Sequence, residues 1–199
     1  MNLFLDFDGT LIDSRMRLFK LFSFLVPSSK LGFAEYWNYK RNGIGHKEIL
    51  RNHFDYTEQS FLDFDERWMN LIEHPEWIQF DTPFEGVTEK LVELNKSYLL
   101  ILVTARQSMD VVNMQLDKFN WTTQFSKVLV TEQKVEKTEL IQSNFSVTQE
   151  DWIVGDTGKD IQVGKQLKIG TAAVLTGFLS KERLKKYEPD ILLNSVLDF

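Results

Sequence analysis

The 199-residue chain contains no cysteine, which excludes disulfide bonds, thiolate metal sites and cysteine-based catalysis. It also lacks an apolar run long enough to span a bilayer, and no signal-peptide pattern opens it. We therefore expect a cytoplasmic protein with no membrane partner. The net charge is −6 and neither sign of charge forms a long run, so we expect no binding to duplex nucleic acid. The sequence predicts no particular oligomeric state.

Hydrophobic residues make up 43% of the chain, which is enough for a sizeable buried interior. Short β-like runs alternate with amphipathic stretches, and this pattern is typical of a parallel sheet with crossover helices. We therefore predict an α/β fold with a Rossmann-like parallel sheet core. The predicted strands are 2–7, 98–103, 127–130, 151–154 and 171–175, with 190–193 left open as a sixth. The predicted crossover helices include 86–95 and 137–144.

The stretch from Ser14 to about Phe80 contains no convincing strand and is dense in aromatic residues. Its apolar side chains recur at helical spacing, and Pro27 marks a break between helices. A helical insertion after the first strand lies above the carboxyl edge of the sheet, where open α/β sheets bind ligands. We predict a core domain of residues 1–13 and 82–199 and a helical cap domain of residues 14–81 that acts as a lid. An insertion that merely pads the fold is the alternative.

Two carboxylates one residue apart end the first apolar run, in Leu3-Phe4-Leu5-Asp6-Phe7-Asp8-Gly9-Thr10. Side chains alternate along a strand, so a continuous strand is one way to place both carboxylates on one side. Gly9 and Thr10 favour a turn instead, which brings Asp6 and Asp8 together over the end of the strand. This pair is suited to act as a nucleophile and an acid, whereas a plain Asp-Gly turn is the structural alternative.

Polar residues also follow two later strands. Thr104-Ala105-Arg106 offers a hydroxyl and free backbone amides to a phosphate oxygen, although this segment taken alone favours a structural turn. Asp156 follows an apolar strand between two glycines, where carboxylates can hold a hard divalent cation. Asp160 is suited to the same task or to capping a helix. Lys134 or Lys137 can supply the positive charge that a phosphate transition state needs, or simply be solvated.

Together these segments resemble the four ordered motifs of the haloacid dehalogenase superfamily. The resemblance rests on Asp6-Phe7-Asp8-Gly9-Thr10, Thr104, a lysine and Gly155-Asp156 with Asp160, and it extends over nearly the whole chain. The segments 174–178 and 187–199 are similar to the end of the phosphoglycolate-phosphatase-like branch, and the helical insertion lies where that branch carries its small cap. The resemblance implies a Mg²⁺-dependent phosphatase that hydrolyses a small phosphomonoester of the phosphoglycolate, sugar phosphate or nucleotide class.

The resemblance also implies a role for each matching residue. Asp6 is similar to the nucleophile that becomes an aspartyl phosphate, and Asp8 to the general acid and base. Thr104 resembles the phosphate-binding hydroxyl, and Lys137 is our choice for the third motif, with Lys134 kept as the alternative. The implied metal ligands are Asp6, the backbone carbonyl of Asp8, Asp156 and Asp160, the last as a ligand or as a support for one.

Candidate substrate contacts come from both predicted domains. Around the phosphate we expect Gly9, Thr10, Ala105 and Arg106. In this family the cap reads the leaving group, so the resemblance implies contacts from the cap bend at 43–45. The candidates there are Arg41 and His46, together with Lys47, and a solvated side chain is the alternative for each.

Two positions depart from the family pattern. Thr138 follows the lysine where many relatives have proline, which leaves the choice of lysine open. Lys168 stands where relatives often have a small residue, and nothing in the sequence explains it. Asp8 favours phosphate ester chemistry, because an alcohol leaving group needs a proton. A phosphomutase of the same superfamily and a catalytically silent phosphate-binding or partner-binding protein are the alternative functions.

Overall fold

The computed structural model describes every residue from Met1 to Phe199. The strands are β1 (Asn2–Leu5), β2 (Ile12–Asp13), β3 (Thr82–Pro83), β4 (Leu99–Thr104), β5 (Lys127–Val130), β6 (Trp152–Gly155), β7 (Gly170–Val174) and β8 (Ile191–Leu193). The helices are α1 (Arg15–Leu25), α2 (Phe33–Arg41), α3 (His46–Phe54), α4 (Glu58–Leu71), α5 (Pro75–Ile78), α6 (Val87–Leu94), α7 (Met109–Lys118), α8 (Lys137–Gln142), α9 (Gly158–Leu167) and α10 (Lys181–Lys185). A short 3₁₀ helix at Val196–Asp198 ends the chain. No helix combines the length and the hydropathy that crossing a membrane requires.

Six strands form one sheet in the order β5-β4-β1-β6-β7-β8, and every neighbouring pair is parallel. The chain runs outward from β1 through β4 to β5, then returns to the other side of β1 and continues from β6 to β8. The direction therefore reverses at β1, and such switch points open a crevice at the carboxyl edge of a sheet. This arrangement confirms the predicted α/β fold with a Rossmann-like parallel sheet.

All six predicted strand segments lie in this sheet, including the segment at 190–193. The prediction that the first strand reaches Phe7 was wrong, because β1 ends at Leu5. The carbonyl of Phe7 accepts hydrogen bonds from the amides of Thr10, Leu11 and Ile12, and this tight turn takes the chain out of the sheet. The antiparallel ribbon of β2 and β3 was not predicted from the sequence.

Side chains of the sheet alternate between two buried layers. Leu3 and Leu5 belong to a cluster of 19 buried residues on one face, whereas Phe4 belongs to a cluster of nine on the other. A parallel sheet needs helices on both faces, so its strands are apolar on both sides. This explains why the strands appear in the sequence as continuous hydrophobic runs.

Five helices, α1 to α5, lie between β2 and β3 and surround their own cluster of 12 buried residues. The ribbon of β2 and β3 pairs Ile12 with Pro83 and Asp13 with Thr82, so the chain enters and leaves the helical region side by side. These facts support the division into a core and a cap of residues 14–81, which stays a prediction. Most of the aromatic residues of the region belong to its cluster, but Phe24 is exposed.

His46 lies inside the cap, where its Nε2 is 2.9 Å from the hydroxyl of Tyr36 and its ring stacks on that of Phe22. Its ring centroid is 4.2 Å from that of Trp68. Burial, together with the nearby charge of Lys40, lowers the pKa of His46 well below its ordinary value. The structure therefore corrects the prediction of a substrate contact, because the imidazole packs in the aromatic core of the cap.

This placement predicts an acid-sensitive cap. The unfolded chain binds a proton at His46 near pH 6.5 and the folded chain does not, so the free energy of unfolding falls as the pH drops below that value. The slope contributed by one such group is at most about 1.4 kcal/mol per pH unit. Urea denaturation between about pH 7.5 and about pH 5.5 measures it. We expect His46→Gln to reduce the slope and the exposed control His53→Gln to retain it, and a wild-type slope in His46→Gln contradicts the assignment.

Candidate active site

The carboxyl ends of β1, β4 and β6 face a cavity of about 740 Å³. The sheet side supplies side chains at or just after the ends of these strands, among them Asp6, Thr104 and Asp156. The cap side supplies residues of α1 and α4, including Leu18 and Trp68. The cavity thus lies between the predicted core and cap, at the edge where the strand order reverses.

Asp6 is the first residue after β1, and its backbone N–H donates to the carbonyl of Val154 at 2.9 Å. Its side chain accepts a hydrogen bond from Nζ of Lys137 at 2.6 Å and a longer one from the hydroxyl of Thr10 at 3.3 Å. Burial raises the pKa of Asp6 to about 6, against the opposing effect of Lys137. The carboxylate is therefore fixed by the sheet on one side and by an ammonium group on the other.

Asp156 occupies a cradle formed by two glycines. A Cβ at Gly9 would lie 2.5 Å from Oδ2 of Asp156 and one at Gly177 would lie 1.8 Å from it, so neither position has room for a side chain. Gly9 also adopts a φ of +80°, which L-residues rarely tolerate. The same Oδ2 accepts a hydrogen bond from the amide of Phe178 at 2.5 Å, whereas the buried Oδ1 has no partner. Burial, together with the charges of Asp6 and Asp160, raises the pKa of Asp156 well above its ordinary value.

Asp160 lies in the first turn of α9, and its two carboxylate oxygens have different hydrogen-bond partners. Its Oδ2 accepts hydrogen bonds from the hydroxyl of Thr157 at 2.6 Å and from the amide of Thr157 at 3.2 Å, which caps the helix. Its Oδ1 accepts a hydrogen bond from Nζ of Lys137 at 2.7 Å. Burial opposes the charged form of Lys137, but Asp160 and Asp6 outweigh it and raise the pKa of that lysine.

The structure distinguishes the two candidate lysines. Lys137 begins α8 with a buried side chain that bridges Asp6 and Asp160. The side chain of Lys134 is 76% exposed and pairs with Glu132 at 2.8 Å. Both lysines line the cavity, but only Lys137 is buried and bonded to the carboxylates.

One oxygen from each of Asp6, Asp156 and Asp160 lies within 4.8 Å of the other two, and all three residues are buried. With every group ionised, these three carboxylates outnumber the single ammonium of Lys137. Oxygen ligands of this kind suit a hard divalent cation, and the unpartnered Oδ1 of Asp156 is a ligand atom still free to bind one. The donor set therefore fits a divalent cation.

The carboxylate of Asp8 turns toward two arginines. Arg106 donates to it with Nε at 2.5 Å and with one Nη at 2.8 Å, and Arg17 of α1 donates to the same carboxylate. Burial alone would raise the pKa of Asp8, but Arg106 and Arg17 hold it well below its ordinary value. Both arginines also contact the fully buried Asp81, at 2.9 Å from Arg106 and 3.0 Å from Arg17.

Arg106 lines the cavity, and its guanidinium binds Asp8 and Asp81 through Nε and one Nη. The phosphate contact expected of this segment stays a prediction. Arg17 and Asp81 were not predicted from the sequence. One signal was available, since Arg17 shares the buried face of α1 with Leu21 and Leu25. A charged residue at helical spacing on an apolar stripe indicates a buried ion pair.

The other predicted contacts divide into two groups. Thr104 and Ala105 line the cavity. Gly9 and Thr10 instead contact the buried carboxylates. Gly9 lies close to the side chain of Asp156, and the hydroxyl of Thr10 donates a hydrogen bond to Asp6.

Arg41 does not line the cavity, which corrects the prediction of a leaving-group contact. Its Nη1 donates to the carbonyls of Leu175 and Gly177, at 3.0 and 3.1 Å. These carbonyls belong to the segment after β7, so the side chain at the end of α2 links the cap to the core.

Comparison with known proteins adds an independent finding. A family model for haloacid dehalogenase-like hydrolases matches residues 3–174. Pyrophosphatase PpaX of Oceanobacillus iheyensis is 26% identical over 200 residues, which covers 97% of this chain and 92% of that protein.

Two solved structures share the fold. A haloacid dehalogenase-like family hydrolase from Streptococcus pneumoniae superposes with a TM-score of 0.81 at 18% identity, and covers 99% of this chain and 95% of its own. A predicted phosphoglycolate phosphatase from Haemophilus somnus gives a TM-score of 0.76 at 18% identity, with the same coverage of 99% and 95%. These findings confirm the resemblance carried by the four motifs, and the chain belongs to the haloacid dehalogenase-like hydrolase family.

Proposed function

We propose that this protein is a Mg²⁺-dependent phosphatase that hydrolyses a small phosphomonoester through an aspartyl phosphate. The observation that carries the proposal is the buried cluster at the strand ends, where Lys137 bridges Asp6 and Asp160 beside an unpartnered oxygen of Asp156. It brings a nucleophile, a fixed counter-charge and cation ligands to one edge of one cavity. Similar proteins named as a pyrophosphatase and as a predicted phosphoglycolate phosphatase support a small phosphorylated substrate.

Asp6 and Asp156, the backbone carbonyl of Asp8 and, as a ligand or a support, Asp160 would hold the Mg²⁺. When bound, the ion offsets the repulsion between the phosphate and these carboxylates and orients the phosphate for attack. The raised pKa values of Asp6 and Asp156 have the same origin, because both carboxylates lie in a buried and anionic cluster. A bound cation is expected to favour their ionised forms.

In the first half of the reaction, a carboxylate oxygen of Asp6 attacks phosphorus and forms the new P–O bond. The bond from phosphorus to the leaving-group oxygen breaks, and that oxygen receives a proton through Asp8. Because Arg106 and Arg17 keep the resting carboxylate of Asp8 ionised, Asp8 must first take this proton from water or from the phosphomonoester. The hydroxyl of Thr104 and the ammonium of Lys137 hold the phosphate oxygens, since both groups line the cavity beside Asp6.

In the second half, a water molecule attacks the phosphorus of the aspartyl phosphate and the P–O bond to Asp6 breaks. Asp8 accepts the proton of that water, and inorganic phosphate leaves. Arg106 and Arg17 stabilise the ionised form of Asp8, which is the form that accepts this proton.

A panel of phosphate esters tests the proposal. We expect at least one small phosphomonoester to release inorganic phosphate with Mg²⁺ and not with EDTA. Asp6→Asn is expected to lower kcat at least about 1,000-fold while circular dichroism shows an intact fold. Phosphate release that ignores EDTA, or a wild-type rate in Asp6→Asn, contradicts the proposal. Isomerisation of a sugar phosphate without phosphate release would indicate a mutase.

Thermal unfolding tests the cation ligands without reference to activity. Mg²⁺ at about 100 times its Kd is expected to raise the Tm by about 5–10 °C, because it binds only the folded state. Asp156→Asn should remove most of this increase. Asp151→Asn is the matched control, since Asp151 is also buried but lies at the opposite end of β6, where it binds the amide of Asn2. A full Mg²⁺ response in Asp156→Asn excludes Asp156 as a ligand.

Asp8→Asn tests the acid. We measure single-turnover release of the leaving group, which isolates the first half of the reaction. For an alkyl phosphate the rate should fall about 100-fold or more, and for p-nitrophenyl phosphate less than about tenfold, because nitrophenolate leaves without a proton. Equal losses for the two substrates would rule out proton donation by Asp8.

A further inference from the structure

Arg17 and Asp81 lie at the two points where the chain passes between the sheet and the cap. Arg17 is in the first turn of α1, shortly after β2, and Asp81 directly precedes β3. Their side chains are only 3% and 0% exposed, although both carry a charge. Charged groups this deeply buried are retained at a cost in desolvation, so their partners show what they do.

Arg17 has a contact for each of its three side-chain nitrogens. One Nη donates to Oδ1 of Asp8, the other donates to the carbonyl of Ile72 at 3.1 Å, and Nε lies 3.0 Å from Oδ1 of Asp81. Ile72 follows α4, so a single guanidinium joins Asp8 to two segments of the cap. Its position is therefore fixed by the cap as much as by the core.

Asp81 orients the second arginine. Its Oδ2 accepts hydrogen bonds from Arg106 at 2.9 Å and from the amide of Gln115 at 3.0 Å. Arg106 uses the same Nη to contact Asp8 at 2.8 Å. Asp81 thus contacts both guanidinium groups that bind Asp8. The two carboxylates, of Asp8 and Asp81, balance the charges of the two arginines.

We infer that Arg17 and Asp81 are positioning residues for Asp8, which hold its carboxylate in place and tie its orientation to the position of the cap. This inference rests on the proposed function, because it concerns the acid of that reaction. A displacement of α1 or of the segment at Ile72 would move Arg17 and leave the carboxylate of Asp8 bound by Arg106 alone. The cap then controls the acid directly, in addition to covering the cavity.

A salt bridge that only fastens the cap would give a different result from one that positions Asp8. Loss of a salt bridge that only attaches the cap to the core changes protein stability and substrate affinity to the same extent for every substrate. Loss of a positioning residue affects the step in which Asp8 donates its proton, so the damage depends on the leaving group. The leaving-group dependence therefore separates the two roles.

The test uses Arg17→Met, Arg17→Lys and Asp81→Asn in the full-length protein, with Arg15→Met as the matched control. Arg15 is two residues away in the same helix, forms its ion pair with Asp13 and does not contact Asp8. Single-turnover release of the leaving group is measured for p-nitrophenyl phosphate and for the best alkyl phosphate of the panel. The dependence of the rate on substrate concentration gives the affinity separately.

We expect Arg17→Met to slow the alkyl ester about 10- to 100-fold and the aryl ester less than about threefold, with substrate affinity changed less than about threefold. Asp81→Asn should show the same selectivity more weakly, Arg17→Lys should recover part of the alkyl rate, and Arg15→Met should match the wild type. Arg17→Lys and Asp81→Asn still decide the question if Arg17→Met does not fold.

An equal loss of rate for both esters, or a change in substrate affinity alone, would overturn the inference. Arg17 would then only attach the cap to the core. Failure of the proposed function is distinguishable from this result. In that case the wild-type protein itself releases no phosphate from any ester in the presence of Mg²⁺.

Discussion

The repulsion among three buried carboxylates is the constraint on which the rest of the site depends. Asp6, Asp156 and Asp160 lie within one small cluster, and two unit charges at about 4 Å repel by about 4 kcal/mol at an effective dielectric of 20. Lys137 compensates part of this repulsion through its bonds to Asp6 and Asp160. Burial, followed by the charges of Asp6 and Asp160, raises the pKa of Asp156, whose buried Oδ1 has no partner. A divalent cation would balance the two negative charges that remain.

The fold makes this cluster possible because parallel strands end at one edge of a sheet. β1 lies between β4 and β6, so residues far apart in sequence meet where these strands end. The turn after Leu5 and the open space at Gly9 and Gly177 then let Asp156 approach Asp6 from the neighbouring strand. The second pair of buried charges, Arg17 and Asp81, lies where the chain enters and leaves the cap. Buried charged residues therefore lie both at the edge of the sheet and where the chain connects to the cap.

The sequence predicts the parts of the site that directly follow an apolar strand. Asp6, Thr104 and Asp156 could be placed this way, since a run of buried residues locates the strand and the next polar residue lies at its end. Lys137 could not be separated from Lys134, because spacing alone does not show which side of a turn faces inward. Arg41 and His46 were misplaced for the same reason, as nearness to a bend does not fix the direction of a side chain. The helical spacing of Arg17 on an apolar face indicates a buried ion pair, but it does not identify Asp81 as the partner, because the two residues lie far apart in the chain.

The most direct test of the central claim is to trap the covalent intermediate. The protein would be mixed with Mg²⁺ and its best substrate, quenched in acid within the first turnover, digested and examined by mass spectrometry. The account predicts one phosphoryl group on the peptide that contains Asp6 and none on that peptide in Asp6→Asn. Substrate consumption with a phosphoryl group on another residue, or with none on the protein at any time in the turnover, would contradict it.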